Sequence, residues 1–364
     1  MAPRTSGRGR TQSRPSGRPR ARARRRSPVR ALFLGLYKLL VVVSVVIVVG
    51  FAAFQFLIKP PAQTPVKVPA QVGTKGTDPV ADPSGGAVVP AGLTRRDGVY
   101  NILLAATDKE GFRTDTMMVM CYDIPNQKVG VVSVPRDTLT RREAGKNPKL
   151  VYGPGGVEQR VEDISNMLGV PIDYYIKVNI QGFIALVDYL DGVDFYVPDD
   201  MDYDDPFQDL HIHYKQGQYH LNGQQAMEVA RFRKNNDLSG YSDVGRTQTQ
   251  QKLLVALAKK VLDWGSLTKI NGFVEIFNQY VDTDLALNDM MYFASQAVYM
   301  DISTGVETAT LEGRGDGVYR GNTWCYVLDQ AMTLDTVNRL INPFDQALTL
   351  EDMDLLQAES YTQG

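Results

Sequence analysis

The sequence predicts an α/β fold, a mixed central β-sheet sandwiched between helices, carried behind an N-terminal transmembrane helix. Three observations predict it. A long apolar run lies near the N-terminus, and strand-like and helix-like segments alternate through the last 250 or so residues. Two neighbouring strands, apolar on both faces, form a hairpin that interrupts this alternation, which makes the sheet mixed and places the hairpin in its interior.

The first thirty residues hold eleven arginines and no acid, mixed with Pro, Gly and Ser, the composition of a disordered basic tail. Residues 31–58 are almost wholly apolar, interrupted by Lys38, and the last twenty are uncharged, enough to cross a hydrocarbon core about 30 Å thick. A cleaved signal peptide has an apolar core of only about 7 to 15 residues. The length therefore favours a retained anchor, with Gly50-Phe51-Ala52-Ala53 the one string that suits cleavage. Arginines precede the span and only Lys59 directly follows it, so the tail is expected in the cytoplasm and the rest of the chain outside the cell. Removing the eleven arginines and Lys38 from the 39 basic residues leaves 27 against 41 acidic ones. An acidic exported body repels nucleic-acid backbones, and no nucleic-acid partner is expected for it; anionic lipid head groups are the simplest partner of the tail.

Residues 59–96, rich in Pro, Gly, Val and Thr without periodicity, suit an extended linker that holds the following domain off the membrane. One domain is expected over residues 97–347, with a fraying acidic tail over 348–364. Its first strand is Val99 to Ala106. The hairpin follows, with arms Met117 to Tyr122 and Val129 to Val134 around the turn-like Pro125-Asn126-Gln127-Lys128. Val157, Val161, Ile164 and Leu168 recur at helical spacing up to Gly169. A strand from Tyr174 to Val178, a helix from Gln181 to Leu190 and a strand from Val193 to Val197 come next. Asn222 to Val229 is helical, and Gly245 to Trp264 forms a long helix with Leu253, Leu254, Leu257 and Val261 on one face. A helix near Leu287 to Tyr299, a strand at Val306 to Leu311 and a Gly-rich stretch at Gly313 to Gly321 complete the same domain.

The hairpin is bracketed by Arg113-Thr114-Asp115-Thr116 and Pro135-Arg136-Asp137-Thr138. A turn centred near Pro125 and Asn126 makes cross-strand partners sum to about 251 to 253, which puts Arg136 opposite Asp115. This is a candidate anion and metal site; a solvated salt bridge is the alternative. Arg246 and Gln250 fall in the first turns of the long helix, where an arginine opposes the macrodipole unless an anion uses both.

Other groups have simpler readings. Asp200-Met201-Asp202-Tyr203-Asp204 starts like a calcium loop, yet Asp205 replaces the required glycine and His211 the required glutamate, so an EF-hand is rejected in favour of a solvated acidic loop at the edge of the site, with an accessory metal or acceptor contact as the alternative. His211 and His213 share a strand face that could hold zinc, but plain strand surface is the simpler reading. Cys121 is read as a small core residue, and its pairing with Cys325 is left open.

The ordered strings Asn101-Ile102-Leu103-Leu104, Thr107-Asp108, Arg113-Thr114-Asp115-Thr116-Met117-Met118, Ser133-Val134-Pro135-Arg136-Asp137-Thr138, Ile172-Asp173-Tyr174-Tyr175, Gly192-Val193-Asp194, Met201-Asp202-Tyr203-Asp204-Asp205-Pro206, Leu221-Asn222-Gly223, Arg231-Phe232-Arg233 and Gly245-Arg246 resemble the LytR-CpsA-Psr family. The resemblance covers residues 101 to about 262. It implies a membrane-anchored phosphotransferase that moves a glycopolymer from a polyprenyl-pyrophosphate carrier to the 6-hydroxyl of N-acetylmuramic acid in peptidoglycan, forming a phosphodiester. By the same resemblance Arg113, Arg136, Arg231 and Arg233 cradle the pyrophosphate, with Arg246, Gln250 and Lys149 closing the pocket. Arginine suits this task because its planar paired donors match phosphate oxygens and keep their charge. Asp108 and Asp115 match the metal-associated aspartates, which implies Mg²⁺, an ion that takes one or two carboxylates with phosphate oxygens and water. Asp108, Asp115 and Arg136 are the implied catalytic group. Either aspartate could accept the proton of the attacking hydroxyl, with Asp137 orienting Arg136.

The chain departs from the family pattern in three places. Ala105-Ala106-Thr107 stands where a glycine usually lies two residues before the aspartate. Lys149 or Lys146 stands in for the expected lysine, and Thr249 replaces a frequent arginine. Two other activities fit the same residues: hydrolysis of polyprenyl pyrophosphates, with water in place of the sugar hydroxyl, and a non-catalytic regulator or glycan-binding protein of the cell envelope.

Overall fold

The computed structural model describes residues 41, 44–45, 59–64, 93–107, 114–142, 145–152, 156–237, 239–240, 243–263 and 270–361. The chain divides into two compact units, 1–57 and 58–364. In the first, residues 41 and 44–45 are helical. No helix among the described residues is long and apolar enough to cross a membrane. The expected basic tail, and all but these three positions of the expected span up to residue 57, lie outside the described residues, as do Ile58 and residues 65–92 of the expected linker.

The second unit contains thirteen strands and eight helices among its described residues. The strands are β1 (Val99–Thr107), β2 (Thr114–Asp123), β3 (Lys128–Val134), β4 (Tyr174–Asn179), β5 (Val193–Val197), β6 (Met201–Asp205), β7 (Leu210–Tyr214), β8 (Gly217–Leu221), β9 (Val281–Thr283), β10 (Val306–Thr310), β11 (Gly313–Tyr319), β12 (Asn322–Leu328) and β13 (Glu359–Ser360). The helices are α1 (Gly156–Leu168), α2 (Ile180–Tyr189), α3 (Gly223–Arg231), α4 (Asp243–Asp263), α5 (Ile270–Tyr280), α6 (Leu287–Ala297), α7 (Ile302–Gly305) and α8 (Gln330–Leu340).

The central sheet has the order β10-β3-β2-β1-β4-β9. It is mixed, because β1 runs antiparallel to β2 and parallel to β4, while β3 runs antiparallel to β2 and parallel to β10. Every hairpin pair from Met117–Val134 to Asp123–Lys128 sums to 251, the register that the turn position predicts. Helices cover both faces. On one, Leu103, Val119 and Cys121 share a cluster with Ile164 and Leu168 of α1 and Val337 of α8. On the other, Tyr100, Met118 and Tyr122 cluster with Leu254 of α4 and Phe293 of α6. Each fully buried Leu, Ile or Val contributes roughly 1.5–3 kcal/mol, so the sheet is held from both sides.

Two glycines allow close approach. A Cβ on Gly130 would fall 2.1 Å from the Leu340 carbonyl oxygen, so only glycine lets the end of α8 lie against β3. Gly169 ends α1 at φ +68, and a Cβ there would meet the Asp352 carbonyl at 2.3 Å.

Three expectations change. Pro61–Thr64 are not free linker: Gln63 Nε2 donates to the Val99 carbonyl at 2.8 Å, Tyr100 Oη to the Pro61 carbonyl at 3.0 Å, and the Thr64 amide to Asp173 Oδ1 at 2.7 Å. The strand ends of β1 and β4 offer unpaired groups there, and these residues satisfy them. The described part of the C-terminal stretch, up to Tyr361, is tied down, because β13 pairs with β11 and the Asp354 amide donates to the Met167 carbonyl at 3.2 Å. The acidic string after Pro198 is not a loop but strand β6, paired with β7. Cys121 and Cys325 are both buried and unpaired, in separate clusters.

Candidate functional site

The carboxyl ends of β1, β4, β3 and β10 lie at one end of the sheet, since the parallel pairs β1–β4 and β3–β10 end in register near Thr107, Asn179, Ser133 and Thr310. Ligand sites favour such ends. The open end of the β2–β3 hairpin is at the same place. There Arg136 Nη1 donates to Asp115 Oδ1 at 2.7 Å. Arg136 Nε lies 3.6 Å from Asp137 Oδ2, and Lys149 Nζ lies 3.9 Å from Asp137 Oδ1, so charges alternate along the row Asp115, Arg136, Asp137, Lys149.

The opposite wall comes from α3 and α4. Asn222 caps α3 with a reciprocal pair, its Oδ1 accepting from the Gln225 amide at 2.9 Å and Gln225 Oε1 accepting from the Asn222 amide at 3.0 Å. At the other end of α3 the backbone turns extended at Phe232, whose side chain is fully buried. Phe232 anchors the Arg231-Phe232-Arg233 string, while both arginines line the cavity. Arg231 Nη2 donates to Gln208 Oε1 at 2.5 Å, in the turn between β6 and β7.

Gln250 joins the two walls. Its Oε1 accepts from Thr116 Oγ1 at 3.2 Å, and its Nε2 donates to the Ala230 carbonyl at 3.0 Å. One side chain thus links the residue after Asp115 to the residue before Arg231.

Between the walls lies a cavity of about 1180 Å³. Among the described residues its mouth presents Arg136, Arg231, Arg233, Lys234 and Arg246 against one carboxylate, Asp115, in a body that is otherwise acidic. Inward it becomes apolar. Leu104, Met118, Ile176 and Val178 of the sheet face Leu253, Leu254, Leu257 and Val261 of α4, with Phe183 of α2 and Ile276 and Phe277 of α5 closing it. Such a space fits an amphiphile with an anionic head and a long apolar tail, and it exceeds the ~300–1,000 Å³ of ordinary small-molecule pockets. A smaller cleft of about 210 Å³ adjoins it and shares Asp115, Thr116, Arg136, Arg246 and Gln250.

The structure therefore brings together Asp115, Arg136, Arg231, Arg233, Arg246 and Gln250. Among the described residues Lys149 reaches the group through Asp137. Asp108 and Arg113 lie outside the described residues. Thr249, where the family often has arginine, is 2% exposed and lines neither space, so that position adds nothing to the cationic mouth here. Lys234, Gln208 and Tyr203 were missed; the only signal for Lys234 was its place directly after Arg233. The apolar tunnel had no local signal at all.

A second titratable group sits on the β6–β7 hairpin. Across the strand register His211 Nδ1 lies 2.5 Å from Asp204 Oδ1, and His213 Nδ1 lies 2.8 Å from Asp202 Oδ1. The donor atoms of Asp204, His211 and His213 lie within 4.8 Å of one another, so this exposed group could hold a divalent cation. The hydrogen bond from His211 pulls the Asp204 carboxyl below its usual range, and the bond to Asp202 raises His213. Imidazole nitrogens suit zinc-like ions better than magnesium. For Mg²⁺ the cavity mouth is the better chemical match: Arg136 takes Oδ1 of Asp115, and Oδ2 is the oxygen that could coordinate.

The profile of the LytR_cpsA_psr family matches residues 70–342. A polyisoprenyl-teichoic acid–peptidoglycan teichoic acid transferase, TagU, from Bacillus anthracis is 34% identical over 246 residues, which are 66% of this chain and 77% of the relative. TagV of Bacillus subtilis, named for the same transfer, is 31% identical over 243 residues, 65% of this chain and 61% of the relative. The crystal structure of B. subtilis TagV superposes with a TM-score of 0.55 at 25% identity, covering 66% of this chain and 95% of that one.

Proposed function

The chain belongs to the LytR-CpsA-Psr family, and from that premise we propose that it is a membrane-anchored phosphotransferase. It moves a glycopolymer from a polyprenyl-pyrophosphate carrier to the 6-hydroxyl of N-acetylmuramic acid in peptidoglycan, forming a phosphodiester. The observation that carries this reading is one continuous cavity, cationic at the mouth and apolar within. Pyrophosphate matches the mouth, a polyprenyl chain matches the tunnel, and TagU and TagV are named for a transfer of this class.

In this mechanism Arg136, Arg231, Arg233 and Arg246 hold the pyrophosphate oxygens and fix the phosphorus next to the glycan. The acceptor oxygen bonds to that phosphorus while its bond to the bridging oxygen breaks, and polyprenyl phosphate leaves. The acceptor proton passes to a carboxylate, Asp108 or Asp115. Positioning and charge stabilisation supply most of the acceleration in such transfers. Asp115 together with Asp108 would hold Mg²⁺, which when bound neutralises charge on the phosphate oxygens. The membrane anchor over residues 31–58 would place the mouth outside the cell, where both substrates lie.

The test is transfer of lipid-linked glycan to peptidoglycan by the purified chain with Mg²⁺, compared with Asp115→Ala and Arg136→Ala. Unchanged transfer in both variants sinks the assignment. Phosphate release without an acceptor adduct would point to the hydrolase instead.

A further inference from the structure

The reacting wall has a second face. Asp115, Arg136, Arg246 and Gln250 line both the tunnel mouth and the adjoining cleft, which Asp137, Thr310, Gly315 and Tyr326 line as well. Thr310 comes from β10 at the edge of the central sheet, and Gly315 and Tyr326 come from β11 and β12, which with β13 form a three-stranded sheet of their own. That sheet is fastened to the arginine-bearing loop: the Tyr326 amide donates to the Asp137 carbonyl at 2.8 Å, and the Leu139 amide donates to the Tyr326 carbonyl at 2.8 Å. At Gly315 an added Cβ would meet only the Tyr326 ring at 3.8 Å, so no side chain from that position fills the cleft.

Two residues before Tyr326 on the same strand is Trp324. Its backbone is in the left-handed region at φ +59, which for a bulky side chain is a strained state that the fold must impose. Yet its ring is not used in the core: it is 57% exposed. It lies 5.1 Å from the ring of Tyr361 at 38°, and Tyr361 is held there by its backbone N–H, which donates to the Asp316 carbonyl at 2.7 Å. An exposed tilted aromatic pair, displayed at a cost in backbone strain on the strand that carries Tyr326, suits a sugar ring. The C–H face of the ring packs on the aromatics while its hydroxyls stay in water.

We propose that the cleft and the Trp324–Tyr361 pair together form the acceptor site, a groove for a polysaccharide strand of amino sugars. The cleft admits the sugar whose hydroxyl meets Asp115, and the aromatic pair carries a neighbouring sugar of the same strand. The lipid-linked donor and the acceptor thus reach the arginines from opposite faces. This inference rests on the transferase reading for its choice of ligand.

The experiment uses the full chain carrying Trp264→Phe, so that Trp324 is the only tryptophan, and soluble peptidoglycan disaccharide fragments as the probe. A saturable change in Trp324 fluorescence is expected, and Tyr361→Ala should weaken it roughly three- to tenfold, the range that loss of one aromatic contact produces. In transfer assays Trp324→Ala and Tyr361→Ala should raise KM for the acceptor by a similar factor, with donor binding and kcat unchanged, and Trp324→Phe should recover most of the loss. No fluorescence response, or an unchanged acceptor KM in both alanine variants, overturns the proposal even if transfer itself is confirmed. Equal loss of donor binding in those variants also overturns it, because it would mark a structural role. A saturable response from a chain that performs no transfer would uphold the glycan groove and sink the transferase reading alone.

Discussion

Arg136 donates to Asp115 across the open end of the β2–β3 hairpin, Nη1 to Oδ1 at 2.7 Å, and the two residue numbers continue the register sum of 251 that the ladder keeps. Their side chains are 23% and 42% exposed, so as an ion pair they contribute only about 0–1 kcal/mol to folding. Their worth lies in placement at the cavity mouth. Arg136→Ala and Asp115→Ala should therefore melt within about 4 °C of the parent while transfer falls by at least about 100-fold. Calorimetry beside a transfer assay checks this; a large drop in melting temperature in parallel with activity would contradict it.

Gln250 should behave differently, because it makes two hydrogen bonds of structural use. Gln250→Ala removes both links between the walls, each contributing about 0.5–1.5 kcal/mol. The expected result is a measurable loss of stability and a donor KM raised roughly tenfold, with kcat less affected. Gln250→Glu keeps the acceptor for Thr116 and loses the donor to Ala230, so it should fall between the two. Steady-state kinetics with unfolding curves would separate these outcomes.

The tunnel makes a prediction about chain length. Leu254 lies on the α4 wall, and Leu254→Trp would push an indole into the apolar space at an overpacking cost of about 1–3 kcal/mol. Donors with long polyprenyl chains should lose affinity more than short-chain analogues. Equal losses for both would mean that the tail does not occupy this space.

Burial pushes the Cys121 thiol up to about 12 and raises Cys325 as well. A raised thiol pKa leaves the neutral, unreactive form dominant at pH 8. Alkylation of the native protein at that pH should label neither residue, and unfolding without reductant should expose two labelled thiols. Mass spectrometry that found a disulfide would refute the separate burial seen here.

Asp173 ties the docked segment to the sheet. Its fully buried side chain accepts from the Asn101 amide at 2.9 Å and the Thr64 amide at 2.7 Å, and it pairs with Arg95. Asp173→Ala strands a largely buried guanidinium, a change that costs about 3–5 kcal/mol. Hydrogen exchange at Thr64 should rise well above that of the wild type, whereas Asp173→Asn should show a smaller increase.

By itself the sequence determined the hairpin site and the elements around it, β1 to β5 and α1 to α4, but not α5, α8, β8, β9 or β12. Period-2 and period-3.6 patterns name strands and helices because each depends on neighbours a few residues away. The turn at Pro125 to Lys128 fixed the β2–β3 register, and the register brought Arg136 to Asp115. Resemblance in the ordered motifs added Arg231, Arg233, Arg246 and Gln250, but no local pattern says that they share a wall. Tertiary structure alone decided the rest. Gln250 bonds to Thr116, 134 positions away in the chain, and Tyr326 meets the loop of Asp137 from a separate sheet. The tunnel is space left between β-strands and α4, and no segment encodes it, because its walls become walls only when distant apolar faces pack without filling the gap. The docking of Pro61–Thr64 was equally hidden, since Pro-rich composition signals an extended backbone and says nothing of the strand ends that capture it.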